Sequence, residues 1–278
     1  VQRPFAIASV FISTVFILQA SDRIDHAGDR IDPRALVEQS IVNYNHDWRE
    51  AMSWAYTQTD VTPDDDEKKV EVFEVTPLVG TPYDRLICRN GKPLDPAEQR
   101  KEQRKYEKVL KERTEESPRE RAERIQKYEK ARAFIDEVPN AYDFKLVGSE
   151  LVNGRPAWVV QLTPRADFVP QSQNAAMLRH IEGKLWIDQQ DIRWARAEAP
   201  VIDSINIGVI LARIAPGTKF ELEQTRIADD LWLPRRIVIN GTARVLMLHD
   251  KNLDEQLSFS GYHKESATSA RSFPEPRP

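Results

Sequence analysis

The chain has 278 residues, with 44 acidic side chains against 40 basic, a net charge of −4 and 40% hydrophobic residues. Mixed charge of this kind excludes a dominant basic footprint for nucleic acid, and a single cysteine, Cys88, excludes a disulfide framework or a Cys-rich metal cluster. The length is enough to bury a substantial core in one large domain or two small ones.

Arg3 is the only charge before Asp22, and Phe5 to Leu18 (FAIASVFISTVFIL) is apolar or hydroxyl-bearing throughout. With small residues at Ala20 and Ser21, residues 1–20 read as a secretory signal peptide. The uncharged window 4–21 is 18 residues long, the lower limit for a bilayer span, so an uncleaved N-terminal anchor is the alternative. Either reading places the rest of the chain in the periplasm, the second with N-terminal or peripheral membrane association. Cys88 alternates with Leu86 in a strand-like run and reads as a buried small hydrophobe.

Asp32-Pro33 has the residue order of a helix cap, and Val37, Ile41, Tyr44, Trp48 and Met52 then recur at helical spacing. His46 falls on the opposite, solvated face. Residues 54–61 lean to strand, and Asp64-Asp65-Asp66-Glu67 lacks the glycine and spacing of a calcium loop, so it reads as a solvated turn. Strands are expected over 68–75 and 83–89, closed by Asn90-Gly91. Asp95-Pro96-Ala97-Glu98 and Ser117-Pro118-Arg119-Glu120 are capping-box patterns that open two helices. These carry 9 acids and 13 bases between Glu98 and Arg132, a local excess of +4. Their apolar stripes are thin: Tyr106, Val109 and Leu110, then Ile125, Tyr128, Phe134 and Ile135. The pattern predicts a charged helical hairpin over 95–137 that covers a surface without forming a core.

From Asn140 the chain alternates as strands. Expected segments are 142–146, 158–162, 181–188, 192–199, 201–214, 219–227, 231–240, 242–249 and 255–263, with 163–179 as a linker. Asn153-Gly154 and Asn240-Gly241 read as hairpin turns. Residues 266–278 (SATSARSFPEPRP) read as a disordered tail, leaving 21–265 as the folded domain. Regular strands joined by tight turns predict an α+β fold: a large antiparallel sheet covered by helices. Phe220 and Leu222 alternate with Glu221 and Glu223, and Ile237 and Ile239 share a face with Leu233. One face is therefore apolar. The available helices are few for so many strands, so either a hollow or a filled core lies between them. A transmembrane barrel is rejected, because Lys219, Glu221, Arg235, Arg236 and Arg244 fall on both faces of neighbouring strands.

Gly183-Lys184-Leu185-Trp186-Ile187-Asp188, a short turn, then Ile192-Arg193-Trp194-Ala195-Arg196-Ala197-Glu198 resembles the G-x-hydrophobic-W-I-D hairpin of outer-membrane lipoprotein-sorting proteins, the superfamily of LolA and RseB. Gly217-Thr218-Lys219-Phe220, Leu231-Trp232-Leu233-Pro234 and Gly261-Tyr262-His263-Lys264 are similar to that family's C-terminal strands. The resemblance spans roughly 34–61 and 140–264 and is to exported bacterial members; the helical pair 95–137 departs from the compact carriers as an insertion. It implies a curved half-barrel whose concave face takes acyl chains or lipidated proteins, with Leu185, Ile187, Phe220, Leu222, Ile237 and Ile239 as the expected lining. Nucleophile elbows, phosphate loops, zinc-binding His pairs and dinucleotide fingerprints are absent from the sequence, and the five histidines are scattered. No catalytic residue, metal site or cofactor is expected. Two functions stay open: a periplasmic carrier of a lipid or lipidated protein, and an envelope interaction or sensor module that binds a protein through the sheet edge or the basic hairpin.

Overall fold

The computed structural model describes residues 31–64, 67–172, 174–207, 212–245 and 249–264. The expected signal or anchor (1–20), the expected tail (266–278) and the centre of the acidic turn at Asp65 and Asp66 lie outside the described residues.

The N-terminal third comprises α1 (Pro33–Ala51), β1 (Trp54–Asp64), β2 (Glu67–Leu78), β3 (Thr81–Arg89), β4 (Lys92–Pro93), α2 (Pro96–Glu115) and α3 (Pro118–Lys130). A 3-10 segment, Ala133–Glu137, leads through α4 (Val138–Ala141) into β5 (Tyr142–Val152) and β6 (Arg155–Pro164). A second 3-10 segment, Asn174–His180, precedes β7 (Gly183–Asp188), β8 (Trp194–Pro200), β9 (Ile205–Ile207) and β10 (Ala212–Ile214). The chain continues through β11 (Lys219–Ala228), β12 (Leu231–Asn240), β13 (Thr242–Val245), β14 (His249–Asn252) and β15 (Glu255–Lys264).

Seven strands run in the order β11-β12-β15-β1-β2-β3-β4, and four in the order β5-β6-β7-β8. β8 lies against β11, so the two sets make one antiparallel sheet of 11 strands that does not close into a barrel. The fold is α+β, as its sequence pattern implies. The strand order is not the expected simple meander, because β15 inserts between β12 and β1. A separate four-stranded sheet, β14-β13-β10-β9, was not expected. It divides the stretch 201–214 between two short strands, and 242–249 between β13 and the start of β14.

The caps form as the sequence dictates. The Asp32 carboxylate accepts from Arg34 N at 2.9 Å, and full capping boxes stand at Asp95/Glu98 and Ser117/Glu120. Asn90-Gly91 and Asn153-Gly154 both take positive φ, the mirror-image turn that suits tight hairpins. Asn240-Gly241 does not make a hairpin. It carries the chain from the large sheet into the small one, and a Cβ at Gly241 would lie 2.4 Å from Thr218 Oγ1. Phe134 and Ile135 leave the helical stripe, because α3 ends at Lys130 and they enter the 3-10 segment.

Bulges correct two expected faces. Phe73 faces Leu86 but Val72 faces Cys88, so Cys88 lies on the opposite face from Leu86 and is half-buried rather than buried. Glu223 faces Arg236 and Gln224 faces Pro234, which makes Arg235 the extra residue and moves Leu233 off the face of Ile237.

The charged hairpin α2–α3 covers the β2–β3 end of the sheet through specific polar ties. Val79 occupies φ +48°, a costly conformation for a β-branched residue. The buried Arg113 guanidinium donates to Leu78 O at 2.8 Å, Thr81 O at 2.9 Å and Pro82 O at 3.4 Å around that turn. Arg124 donates to Val79 O at 2.8 Å and pairs with Glu116 at 2.6 Å.

A six-residue turn, 188–193, ties α1 to the sheet. Asp188, 1% exposed, accepts from Arg155 Nε at 2.6 Å and Nη2 at 2.8 Å, and from the backbone N–H groups of Gln190 and Asp191. Arg193 donates to both oxygens of the buried Asp47 on α1, at 2.9 and 3.2 Å. Trp232 Nε1 and Arg155 Nη2 both reach Asp191 Oδ2 at 3.0 Å. Burial pushes the Asp188 carboxyl up, but Arg155 and the two backbone donors more than offset it, so it lies below the ordinary aspartate range.

Two outcomes are expected. Arg113→Ala, by freeing three carbonyls of a strained turn, should lower stability in urea unfolding by about 2–3 kcal/mol, with no rescue by Arg113→Lys. Asp188→Ala should cost about 2–3 kcal/mol at neutral pH, because the backbone N–H groups of Gln190 and Asp191 and the Arg155 guanidinium lose their shared acceptor. Because the Asp188 pKa is depressed by folding, its contribution is present above the unfolded value near about pH 4 and lost as pH falls below it. Asp188→Asn should therefore flatten the acid limb of the pH–stability curve.

Candidate functional site

The covered face of the sheet is apolar where α1, α4 and the two 3-10 segments rest on β5–β8. Leu36, Val37 and Ile41 of α1 pack with Ile135, Val138, Tyr142, Val160, Leu162, Leu178, Leu185, Ile187 and Trp194. Trp194 Nε1 donates to the fully buried Ser40 Oγ at 2.8 Å, which satisfies the indole and fixes the rotation of α1. Deep burial drives the Tyr142 hydroxyl far above the ordinary phenol range.

Within this cluster lies a cavity of about 20 Å³, bounded by Phe134, Val138, Leu178, Leu185 and Trp194. That volume is room for about one water molecule and lies far below the ~300–1,000 Å³ of a small-molecule pocket. Among the described residues, the hollow expected as one alternative is reduced under α1 to this small cavity. Its roof is the pair of 3-10 segments, one at the end of the expected helical hairpin and one at the end of the expected linker.

The structure distributes five of the six expected lining residues between two clusters. Leu185 and Ile187 belong to the cluster under α1, and Leu222 packs against its edge. Phe220 and Ile239 belong to a second cluster with Ile181, Val201, Ile205 and Ile214, which the small sheet covers. Ile237 is buried between β11 and β15. Only Leu185 of the six bounds the cavity.

The opposite face carries a polar ladder across β7, β8, β11 and β12. Trp186 donates to Glu150 at 2.8 Å, and the Arg196 guanidinium lies 5.0 Å from its ring. Arg196 pairs with Glu198 and lies 3.7 Å from Glu221, which Arg236 meets at 3.4 Å. Burial pushes the Glu198 carboxyl up; Arg196 offsets only part of this and Glu221 adds to it. Arg196, Glu198, Glu221 and Arg236 each have an oppositely charged partner on the sheet, although Arg196 Nε is buried without a hydrogen bond.

The free edge of the sheet is β5. It pairs only with β6 among the described residues, over 11 residues from Tyr142 to Val152, with a bulge at Val147. Its outer part is exposed, with Val147 at 49% and Leu151 at 73%. At the other edge β4 has only two residues. No group of three His, Cys, Asp or Glu among the described residues could hold a metal ion. None of the described helices is long and apolar enough to cross a membrane.

No family model matches the chain, and no curated protein matches it. Solved structures do. A LolA superfamily protein from Nitrosomonas europaea is 10% identical, with a TM-score of 0.35 over 85% of this chain and 95% of its own. A putative outer membrane lipoprotein-sorting protein domain from Vibrio parahaemolyticus is 10% identical, with a TM-score of 0.34 over 84% and 97%. MucB from Pseudomonas aeruginosa, solved with MucA, is 12% identical, with a TM-score of 0.25 over 80% and 92%. At 10–12% identity these similarities transfer no residue role.

Proposed function

We propose that this chain is a non-catalytic binding module of the cell envelope that takes an extended protein segment along the free edge of β5. The leader-like residues 1–20 support the location. The observation that carries the reading is the edge itself, an 11-residue strand paired on one side and bearing exposed Val147 and Leu151. Such an edge offers a row of backbone donors and acceptors that a partner strand can complete. The small size of the cavity under α1 supports a surface role over a preformed lipid cavity. The basic hairpin is the weaker docking surface, because Arg113 and Arg124 are spent on the β2–β3 turn.

A second reading rests on the roof of the small cavity. Short 3-10 segments carry Phe134 and Leu178 above an apolar floor, and their displacement would open space for an acyl chain. The two readings separate in one experiment. A photo-crosslinking residue is placed at Leu151, and at Val42, an exposed residue of α1, as control. The edge reading expects a discrete protein adduct at position 151 only, reduced roughly tenfold by Val147→Pro. Lipid co-purifying from the native host, with no adduct at 151, would overturn it in favour of the carrier.

A further inference from the structure

Arg132 follows the last turn of α3 and is half-buried, yet its guanidinium makes no hydrogen bond and no ion pair with any described residue; its Nη2 is buried without a partner. Two aromatic faces hold it instead. Its central carbon lies 4.7 Å from the ring centre of Tyr44 and 4.5 Å from that of Trp48, residues one turn apart on α1. Each wall is braced by another ring: Tyr44 stacks on the buried Trp194 at 4.3 Å, and Trp48 on Tyr128 at 5.2 Å. The rings are therefore positioned before any cation arrives.

We propose that Tyr44 and Trp48 form an aromatic cage for a quaternary ammonium group, and that Arg132 is its displaceable resident. Both distances fall inside the range at which a cation is attracted by a ring face. The cage offers the guanidinium π faces and no hydrogen bond, whereas a guanidinium brings five N–H donors that call for acceptors. A trimethylammonium group brings a similar charge and no donors, so it fits these walls with nothing left unsatisfied. No directional bond resists the departure of Arg132, and its position in a connecting turn lets the side chain swing to solvent. The choice of ligand thus follows from what the cage lacks as much as from what it contains.

The test is titration with tetramethylammonium chloride against sodium chloride at matched ionic strength, followed through the Trp48 indole N–H resonance. Arg132→Ala should show saturable shifts at about tenfold lower concentration than the wild type, since the resident no longer competes. Arg132→Gln should behave likewise, and adding Tyr44→Leu to either should abolish the response. Guanidinium chloride should bind the emptied cage several-fold more weakly. Flotation with phosphatidylcholine but not phosphatidylglycerol vesicles would assign a lipid headgroup; saturation by free choline without flotation would assign a soluble or side-chain source. Folded Arg132→Ala and Arg132→Gln variants that give no Trp48 shift, or that bind guanidinium as well as tetramethylammonium, would overturn the proposal.

Discussion

The carboxylate of Asp188 is inaccessible to solvent and ionised, and four donors from two directions converge on it. That arrangement fixes the path of residues 188–193, including Ile192 at φ +52°. Once the path is fixed, Arg193 points at Asp47 of α1 and Asp191 receives Trp232 and Arg155. One turn therefore sets the position of the helix, of β6 and of β12 together. Buried pairs of this kind contribute little net stability over an apolar replacement, but they tolerate one geometry only. Apolar residues alone would let α1 slide along the sheet. The Asp47–Arg193 pair and the Trp194–Ser40 bond forbid it.

The helical hairpin shows the same division of labour. Its surface is almost wholly charged, and its i,i+4 pairs, such as Arg119–Glu123 at 2.8 Å, are exposed and contribute little. What joins it to the sheet is a pair of arginines directed at backbone carbonyls of a strained turn, plus Tyr106 against Tyr83 and Ile125 above Gly80. A cover with so little apolar area is held by satisfying polar groups that the sheet could not satisfy itself.

Local chemistry made much of this fold readable. Asp32, Asp95 and Ser117 announced three helix starts, and Asn90-Gly91 and Asn153-Gly154 announced two hairpins, because caps and mirror-image turns need only neighbouring residues. Bulges were not readable. A single extra residue at Arg235 or near Ile87 reverses which side chains share a face, and nothing in the alternation reports it. The expected lining residues do not share one surface: Leu185, Ile187 and Leu222 lie with the cluster under α1, while the small sheet covers Phe220 and Ile239. Asp47 and Arg193 are separated by 146 positions, and neither carries any local sign of the other. Arg132 was counted as one more base of a solvated hairpin, whereas it lies between two rings of another helix.

β15 pairs with β12 on one side and with β1 on the other, although about 190 residues separate it from β1 along the chain. Until that strand arrives, the growing molecule has two part-sheets with raw edges at β1 and β12. Contacts so distant in sequence form late and slowly. The hairpin-bearing part-sheet must stay unpaired along β1 while the rest of the chain is made. Its exposure to proteases and to chaperones that bind strand edges is therefore set by the delivery of its last described strand.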